Sequence, residues 1–345
     1  MIPIQNIYYM LSYAFQILNE QGYKNIATEQ FNNTAELMAA ILEKGIAIQL
    51  KRGLGKEYIL QTEALSSLRG KIDIAESIKT QSMLRKQLIC TYDEFSVNSI
   101  MNRIIKSTVE LLLRSNISKQ RKKNLRKLMV YFSEVDFIDL YTVNWNVQYN
   151  RNNQTYRMLI SICYLVVKGL LQTQSNGHTE LMDFLDEQRM CRLYEKFILE
   201  YYRKEFKNQF TANASQIPWQ LDNEENSMLP VMQSDIMLQS GEKVLIIDAK
   251  YYEHSTQVQF DKHTLHSGNL YQIFTYVKNK EYELREKDHT VSGMLLYAKT
   301  DEEIYPNNVY QMSGNQIAVR TLDLNLPFDE IASQLNTIAK THFDL

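Results

Sequence analysis

Asp235, Asp248 and Lys250 are the residues of this 345-residue chain whose types and spacing could do chemistry. They lie in Leu229 to Tyr252, LPVMQSDIMLQSGEKVLIIDAKYY, which otherwise reads as buried β-structure. A buried carboxylate is costly unless a partner charge or a metal compensates it. Here two carboxylates stand thirteen residues apart. With the Ala249 carbonyl they form an all-oxygen donor set that suits a hard cation such as Mg²⁺, which keeps several waters. A lysine beside that cation can orient a water, help to acidify it, or stabilise the charge that develops as a phosphodiester is attacked. A salt-bridged strand end is the plainer reading of Asp-x-Lys taken alone.

A hairpin is needed to bring these groups together. Val244 to Ile247 is a continuous apolar run of the kind that fills central strands, and Ser240-Gly241 supplies a turn before it. Side chains alternate across a strand, so Asp248 and Lys250 project from one face and Ala249 from the other, beside Leu245 and Ile247. Pairing across the turn brings Asp235 and Asp248 to the same end of the sheet. Downstream, the stretch from Ser267 reads as a helix entered through Ser267 or Asn269, with Gln272 and Tyr276 four apart on one face. Leu270, Ile273, Phe274 and Val277 form its inward side. Upstream, Arg192 to Arg203 reads as an amphipathic helix with Leu193, Phe197, Ile198, Tyr201 and Tyr202 as its stripe, and Glu195 at the stripe's edge.

An Asp, one hairpin of spacing, then Asp-x-Lys at the end of an apolar strand resembles the PD-(D/E)xK nuclease motif. The Gln-x-x-x-Tyr helix that follows is similar to the pattern in a large branch of those nucleases. The likeness extends over the whole chain. Ile2-Pro-Ile-Gln-Asn-Ile-Tyr-Tyr-Met-Leu-Ser-Tyr-Ala-Phe opens it, and Lys51-Arg-Gly-Leu, Leu68-Arg-Gly-Lys-Ile and Asn102-Arg-Ile-Ile-Lys-Ser-Thr follow. Leu193-Tyr-Glu-Lys-Phe, Asp248-Ala-Lys-Tyr-Tyr and Asn269-Leu-Tyr-Gln complete the order. On these stretches the chain resembles the McrC family, the nuclease subunits of modified-cytosine (McrBC-type, type IV) restriction systems.

That resemblance implies an Mg²⁺-dependent DNA endonuclease subunit. Asp235, Asp248 and the Ala249 carbonyl would hold the metal, and Lys250 would orient the nucleophile or stabilise the transition state. Gln272 would support the site, and Glu195, from the first helix of the nuclease fold, is a further candidate for the metal shell. The resemblance also implies a partner, a McrB-like AAA+ GTPase hexamer that binds the GTP, recognises modified cytosine in double-stranded DNA and translocates it. The N-terminal module would dock on that ring and stimulate GTP hydrolysis, with Arg52 and Arg69 as conceivable contacts.

Composition sets the bounds. With 44% hydrophobic and 23% charged residues the chain reads as globular rather than disordered. No charged n-region precedes a cleavable apolar segment, and the longest apolar stretch, Met158 to Leu171, is broken by Ser161 and Lys168. A cytoplasmic protein with no membrane span is expected. Cys90, Cys163 and Cys191 have no ligand spacing and read as free thiols in a reducing compartment. His254, His263 and His266 lie near the candidate site in sequence without clustering, so no zinc site is expected.

A net charge of −2 and a pI near 6.3 argue against a strong grip on DNA by the chain as a whole. Contact must be local or delegated. One local patch, Ser118-Lys-Gln-Arg-Lys-Lys-Asn-Leu-Arg-Lys, reads as the first turns of a largely basic helix, for which a solvated face is the plainer reading. The pattern Gly-x-x-x-x-Gly-Lys-Ser/Thr is absent, so a nucleotide-driven step belongs to another protein.

Two modules are expected. Helices read from Met1 to about Gln21 and from Phe31 to Gly53, short strands from Arg52 to about Asp73, and helices again from Ser99 to about Phe132. The polar stretch Tyr149 to Tyr156 marks a boundary, giving an α+β partner-docking module over 1–150. Residues 151–345 then form an α/β domain of PD-(D/E)xK type, a mixed sheet flanked by helices. Its elements are helices at about 155–172 and 190–206, the hairpin, the Gln272 helix, a strand at 290–297 and a helix at 329–340. Two other readings compete: a non-catalytic regulatory adaptor of an AAA+ GTPase motor, and a stand-alone repair nuclease, which calls for a more basic surface.

Overall fold

The computed structural model describes residues 2–15, 18, 23, 26, 29, 31, 33–151, 153–174, 187–222, 228–252, 257–259, 262–299 and 305–345. For 168–174, 187–189, 257–259 and 262–263 only the backbone is described. His254 lies outside these residues, as does most of 16–22, where the first helix was expected to end.

Helix α1 (Ile4–Ala14) buries Ile7, Met10, Leu11 and Ala14, a three-and-four spacing that makes one apolar face. Its Asn6 amide donates to the carbonyls of Leu324 at 2.7 Å and Leu326 at 2.8 Å. Those long-range bonds place the first residues with the C-terminal half. The chain accordingly forms two compact units, Met1–Phe31 with Asp183–Leu345, and Asn32–Met182.

The Asn32–Met182 unit holds α2 (Thr34–Arg52), β1 (Glu57–Leu65), β2 (Lys71–Asp73), α3 (Ile74–Lys79), β3 (Leu88–Ser96), α4 (Ile100–Arg114), α5 (Lys119–Met129) and α6 (Tyr156–Gln174). β1, β3 and β2 form an antiparallel sheet in that order. Asn33, Ser99 and Ser118 cap α2, α4 and α5 by accepting backbone N–H groups three residues on. The expected boundary near 150 is corrected: the Tyr156 hydroxyl donates to Asn102 Oδ1 at 2.7 Å and accepts the Gly55 amide at 2.7 Å, which holds α6 in this unit. A polar sequence marks a loop, and a loop need not be a domain linker.

The second unit continues with α7 (Glu187–Glu205), β4 (Thr211–Asn213), β5 (Gln216–Ile217), β6 (Met232–Gln233), β7 (Ile236–Ser240), β8 (Lys243–Lys250), β9 (Gln257–Gln259) and β10 (Lys262–Thr264). It ends with α8 (Ser267–Glu283), β11 (Thr290–Ala298), β12 (Asn308–Met312), β13 (Asn315–Leu322) and α9 (Phe328–Phe343). Six strands make a mixed sheet in the order β12-β13-β11-β8-β7-β4, parallel across β8, β11 and β13. This is the helix-flanked mixed sheet that the pattern of elements implies.

Val244 and Ile246 of β8 pack with Ile273, Tyr276 and Val277 of α8 over one face of the sheet. On β11 that face carries Gly293, where a Cβ would lie 2.8 Å from Val277 Cγ2 and 2.9 Å from Ile273 Cγ1. The missing side chain lets α8 sit close on the sheet. α7 and α9 are joined by the Tyr202 hydroxyl, which donates to the Leu335 carbonyl at 3.0 Å, and Phe210, in the segment between α7 and β4, stacks its ring on Phe343 of α9. No helix among the described residues is long and apolar enough to cross a membrane.

Candidate active site

The turn Gly241-Glu242 joins β7 to β8, with Gly241 at φ 55°, a region that glycine adopts without a Cβ penalty. Ile236 pairs with Ile247, so one further step of the register sets Asp235 opposite Asp248. At that step the chain leaves the sheet. The Ser234 amide donates to Ser215 at 3.0 Å, and β6 pairs with β5 instead. The Ala249 amide, left without a strand partner there, donates to Asp235 Oδ2 at 2.9 Å. In a strand the N–H and C=O of one residue point the same way, so the Ala249 carbonyl faces the same gap.

Asp248 is 1% exposed, and its Oδ1 has no hydrogen bond among the described residues. Its compensation is ionic. Lys250 Nζ lies 2.9 Å from Asp248 Oδ2. The same ammonium donates to Gln272 Oε1 at 3.3 Å, and Gln272 Nε2 donates to the Tyr276 hydroxyl at 2.9 Å. One turn of α8 therefore fixes which end of the Gln272 amide faces the lysine.

Burial pushes Asp235 up to about 8, with Asp248 and Glu195 adding to the rise and Lys250 and the Ala249 amide opposing it. Burial also raises Asp248, against the pull of Lys250. For Lys250 burial works toward a lower value, but Asp248 and Asp235 outweigh it and hold the amine above the ordinary lysine range. The lysine is a cation at neutral pH, not a base. Glu195, half-buried on α7, is raised by burial and opposed by Cys191, whose thiol donates to Glu195 Oε1 at 3.1 Å. Lys250 and Asp248 act on Glu195 too, in opposite directions, so it lies within their electrostatic reach. Among the described residues, no group of three or more His, Cys, Asp or Glu is placed to hold a metal ion. The donor set that is drawn together is the Asp235 and Asp248 pair with a backbone oxygen.

A model of the family described as McrBC 5-methylcytosine restriction system component matches residues 5–298. The chain belongs to that family. It is similar to the "Type IV methyl-directed restriction enzyme EcoKMcrBC" of Escherichia coli K12, with 29% identity over 340 residues, 97% of this chain and 96% of that protein. Two solved structures of Thermococcus gammatolerans are also similar. One is a chain of the half-complex from a tetradecameric assembly of McrB AAA+ hexamers with bound McrC, at 18% identity, TM-score 0.48, covering 97% of this chain and 76% of that one. The other is a chain of the McrBC complex solved by cryo-EM, at 22% identity, TM-score 0.42, covering 59% of each.

The span matched to the McrBC family contains Glu195, Asp235, Asp248, Lys250 and Gln272. The structure adds residues to this McrBC-family cluster that the pattern did not single out. Asn269 Nδ2 donates to the Tyr297 hydroxyl at 2.9 Å, and Asn269 Oδ1 accepts from the Tyr252 hydroxyl at 3.3 Å. Tyr297 pairs in register with Lys250 on the neighbouring strand and is wholly buried. A buried phenol on a strand that reads as plain core gives no sequence signal. Cys191 reads from sequence as a free thiol, and the signal that could have found its contact is the four-residue spacing to Glu195 on one helix.

Proposed function

We propose that this chain is the Mg²⁺-dependent DNA endonuclease subunit of a modified-cytosine restriction complex, active with a McrB-like AAA+ GTPase that binds the GTP. The observation that carries the reading is Asp248: a carboxylate 1% exposed and opposite Asp235, whose Oδ2 is held by Lys250 and whose Oδ1 has no hydrogen bond among the described residues. A strand end built only for stability gains little from that arrangement. The donor chemistry fits a hard cation: two carboxylates that repel one another, and a carbonyl facing the same gap. Asp235, Asp248 and the Ala249 carbonyl would hold Mg²⁺, which when bound draws charge from a scissile phosphate and acidifies water.

The chain's own residues supply the rest. Lys250, protonated, stabilises negative charge that develops on the phosphate oxygens and orients the attacking water. Gln272 restrains that ammonium, and Tyr276 restrains Gln272. Glu195 adds negative potential from α7 and supports the shell. In the Asn32–Met182 unit, the β1-β3-β2 sheet exposes Tyr58 at 75%, Leu60 at 68% and Phe95 at 55%, an apolar surface suited to docking on the GTPase.

The test is cleavage of methylated and unmethylated plasmid by the chain with its GTPase partner, Mg²⁺ and GTP, comparing wild type with Lys250→Ala. Cutting that needs methylation, partner and GTP, and is lost in the variant, supports the reading. Equal cutting by both proteins puts the nuclease centre elsewhere. No cutting by either, with GTPase stimulation retained, favours the adaptor.

A further inference from the structure

We propose that the outer face of α5 binds the phosphate backbone of duplex DNA. Every charged residue of α5 is basic: Lys119, Arg121, Lys122, Lys123, Arg126 and Lys127. They divide by face. At 100° per residue, positions 119, 122, 123, 126 and 127 fall within an arc of about 140°, whereas Arg121 and Leu125 lie on the opposite side.

The inward face is an anchor. Arg121 Nη1 pairs with Glu43 at 2.9 Å and its Nε with Glu36 at 3.3 Å, at 16% exposure. Ser118 donates its amide and hydroxyl to Glu36 at 2.7 and 2.9 Å, and Asn124 donates to Glu43 at 3.0 Å. Leu125 is buried beneath the helix. Glu36 and Glu43 are thus engaged by the underside of α5 and tie that face down.

The outward face is left uncompensated. Lys119, Lys123, Arg126 and Lys127 are exposed and Lys122 is half-exposed, and none of the five has an ion pair among the described residues. Neighbours three and four apart on a helix repel when their charges are alike, and cations in the first turn oppose the helix dipole. A solvated face would relieve both with interspersed carboxylates. This one has none, in a chain whose net charge is −2. A polyanion removes the repulsion. The stripe rises about 12 Å from its first residue to its last, a length over which a duplex presents about seven phosphates. A membrane surface is disfavoured, because the apolar side of α5 is already buried.

The choice of duplex DNA rests on the proposed function; the stripe of cations does not. The full-length chain, without partner, is titrated against a short labelled duplex of unmodified sequence over a series of salt concentrations. A variant combining Lys119→Gln, Lys123→Gln, Arg126→Gln and Lys127→Gln is compared with a control carrying Lys71→Gln, Lys86→Gln, Lys207→Gln and Lys287→Gln, all exposed positions. The α5 variant is expected to bind at least tenfold more weakly, with a log–log salt slope shallower by about 0.9 for each phosphate that is no longer neutralised. Lys123→Glu alone moves both in the same direction. Equal losses in the control would tie affinity to net charge and overturn the proposal. Unchanged DNA binding in the α5 variant overturns it too; failure of that variant to associate with the GTPase would then assign the face to a protein. The two readings fail separately: loss of cleavage in Lys250→Ala bears on the nuclease centre, whereas the titration and its salt slope read only the α5 face.

Discussion

Asp235 stands opposite Asp248 at the open end of the β7-β8 hairpin, and its Oδ2 takes the Ala249 amide at 2.9 Å. The chain thus replaces a backbone partner with a carboxylate at the point where the hairpin splits from the sheet. Burial, with the neighbouring Asp248 carboxylate adding to it, raises the proton affinity of Asp235.

That has a consequence for stability in the absence of divalent cations. Asp235 is raised to about 8 in the folded chain, far above its value when unfolded. A raised folded value favours the protonated group, so the stabilisation is present at low pH and is lost as pH rises through about 8. Asp235→Asn is expected to gain on wild type over that window, by a few kcal/mol as an order of magnitude. Urea unfolding of both proteins in chelator from pH 5 to 9 is the check; parallel curves would show that Asp235 titrates normally.

Lys250→Met tests the counter-charge. Among the described residues it leaves Asp248 buried with no ion-pair partner and Gln272 Oε1 without its donor. Breaking a buried pair from one side costs about 3–5 kcal/mol, less what Asp248 recovers by taking up a proton. Metal-free stability is expected to fall by about 1–3 kcal/mol on that basis, and cleavage by about a hundredfold or more. Lys250→Arg is not expected to rescue, because a planar fork does not fit a site shaped for a compact ammonium. Melting curves and single-turnover cleavage decide both points.

Two glycines on either side of the α8 interface have opposite expectations. Gly293→Ala forces a Cβ against Val277 and Ile273, at 2.8 and 2.9 Å, and should cost about 1–3 kcal/mol while lifting Gln272 away from Lys250. Gly268→Ala, in the first turn of α8, meets nothing within 4 Å and should stabilise by about 0.5–1 kcal/mol. Thermal midpoints for the pair test the packing, and the cleavage rate of the Gly293 variant tests whether the depth of α8 matters.

The hairpin was legible in the sequence because its signals are local: an apolar run, a Ser-Gly turn and period-two alternation fix both the strands and the faces of Asp248 and Lys250. Gln272 was legible for the same reason, since helical spacing alone sets it beside Tyr276. The unit division was not. Asn6 finds its partners at Leu324 and Leu326, more than three hundred residues away, and no local pattern reports such a bond. β3 (Leu88–Ser96), the edge strand β12 and its neighbour β13 were missed as well: β3 and β12 are only partly buried and leave weak alternation, and the mostly buried β13 gains its identity from the strands on either side.

The buried Asn102 shows how the β1-β3-β2 sheet is held in its own unit. Its Nδ2 donates to the carbonyls of Gly55 at 2.9 Å and Val97 at 2.8 Å, one just before β1 and the other just after β3. Tyr156 completes the clamp through Asn102 Oδ1 and the Gly55 amide. Tyr156→Phe keeps the ring but leaves two polar atoms without partners, at a cost of about 1–3 kcal/mol. Exchange protection should therefore fall in Glu57–Leu65 and Leu88–Ser96 before it falls in α4. If that sheet docks on the GTPase, stimulation of GTP hydrolysis should weaken in step with the protection. Full stimulation by a variant whose sheet has become exchange-labile would remove the sheet from the docking surface.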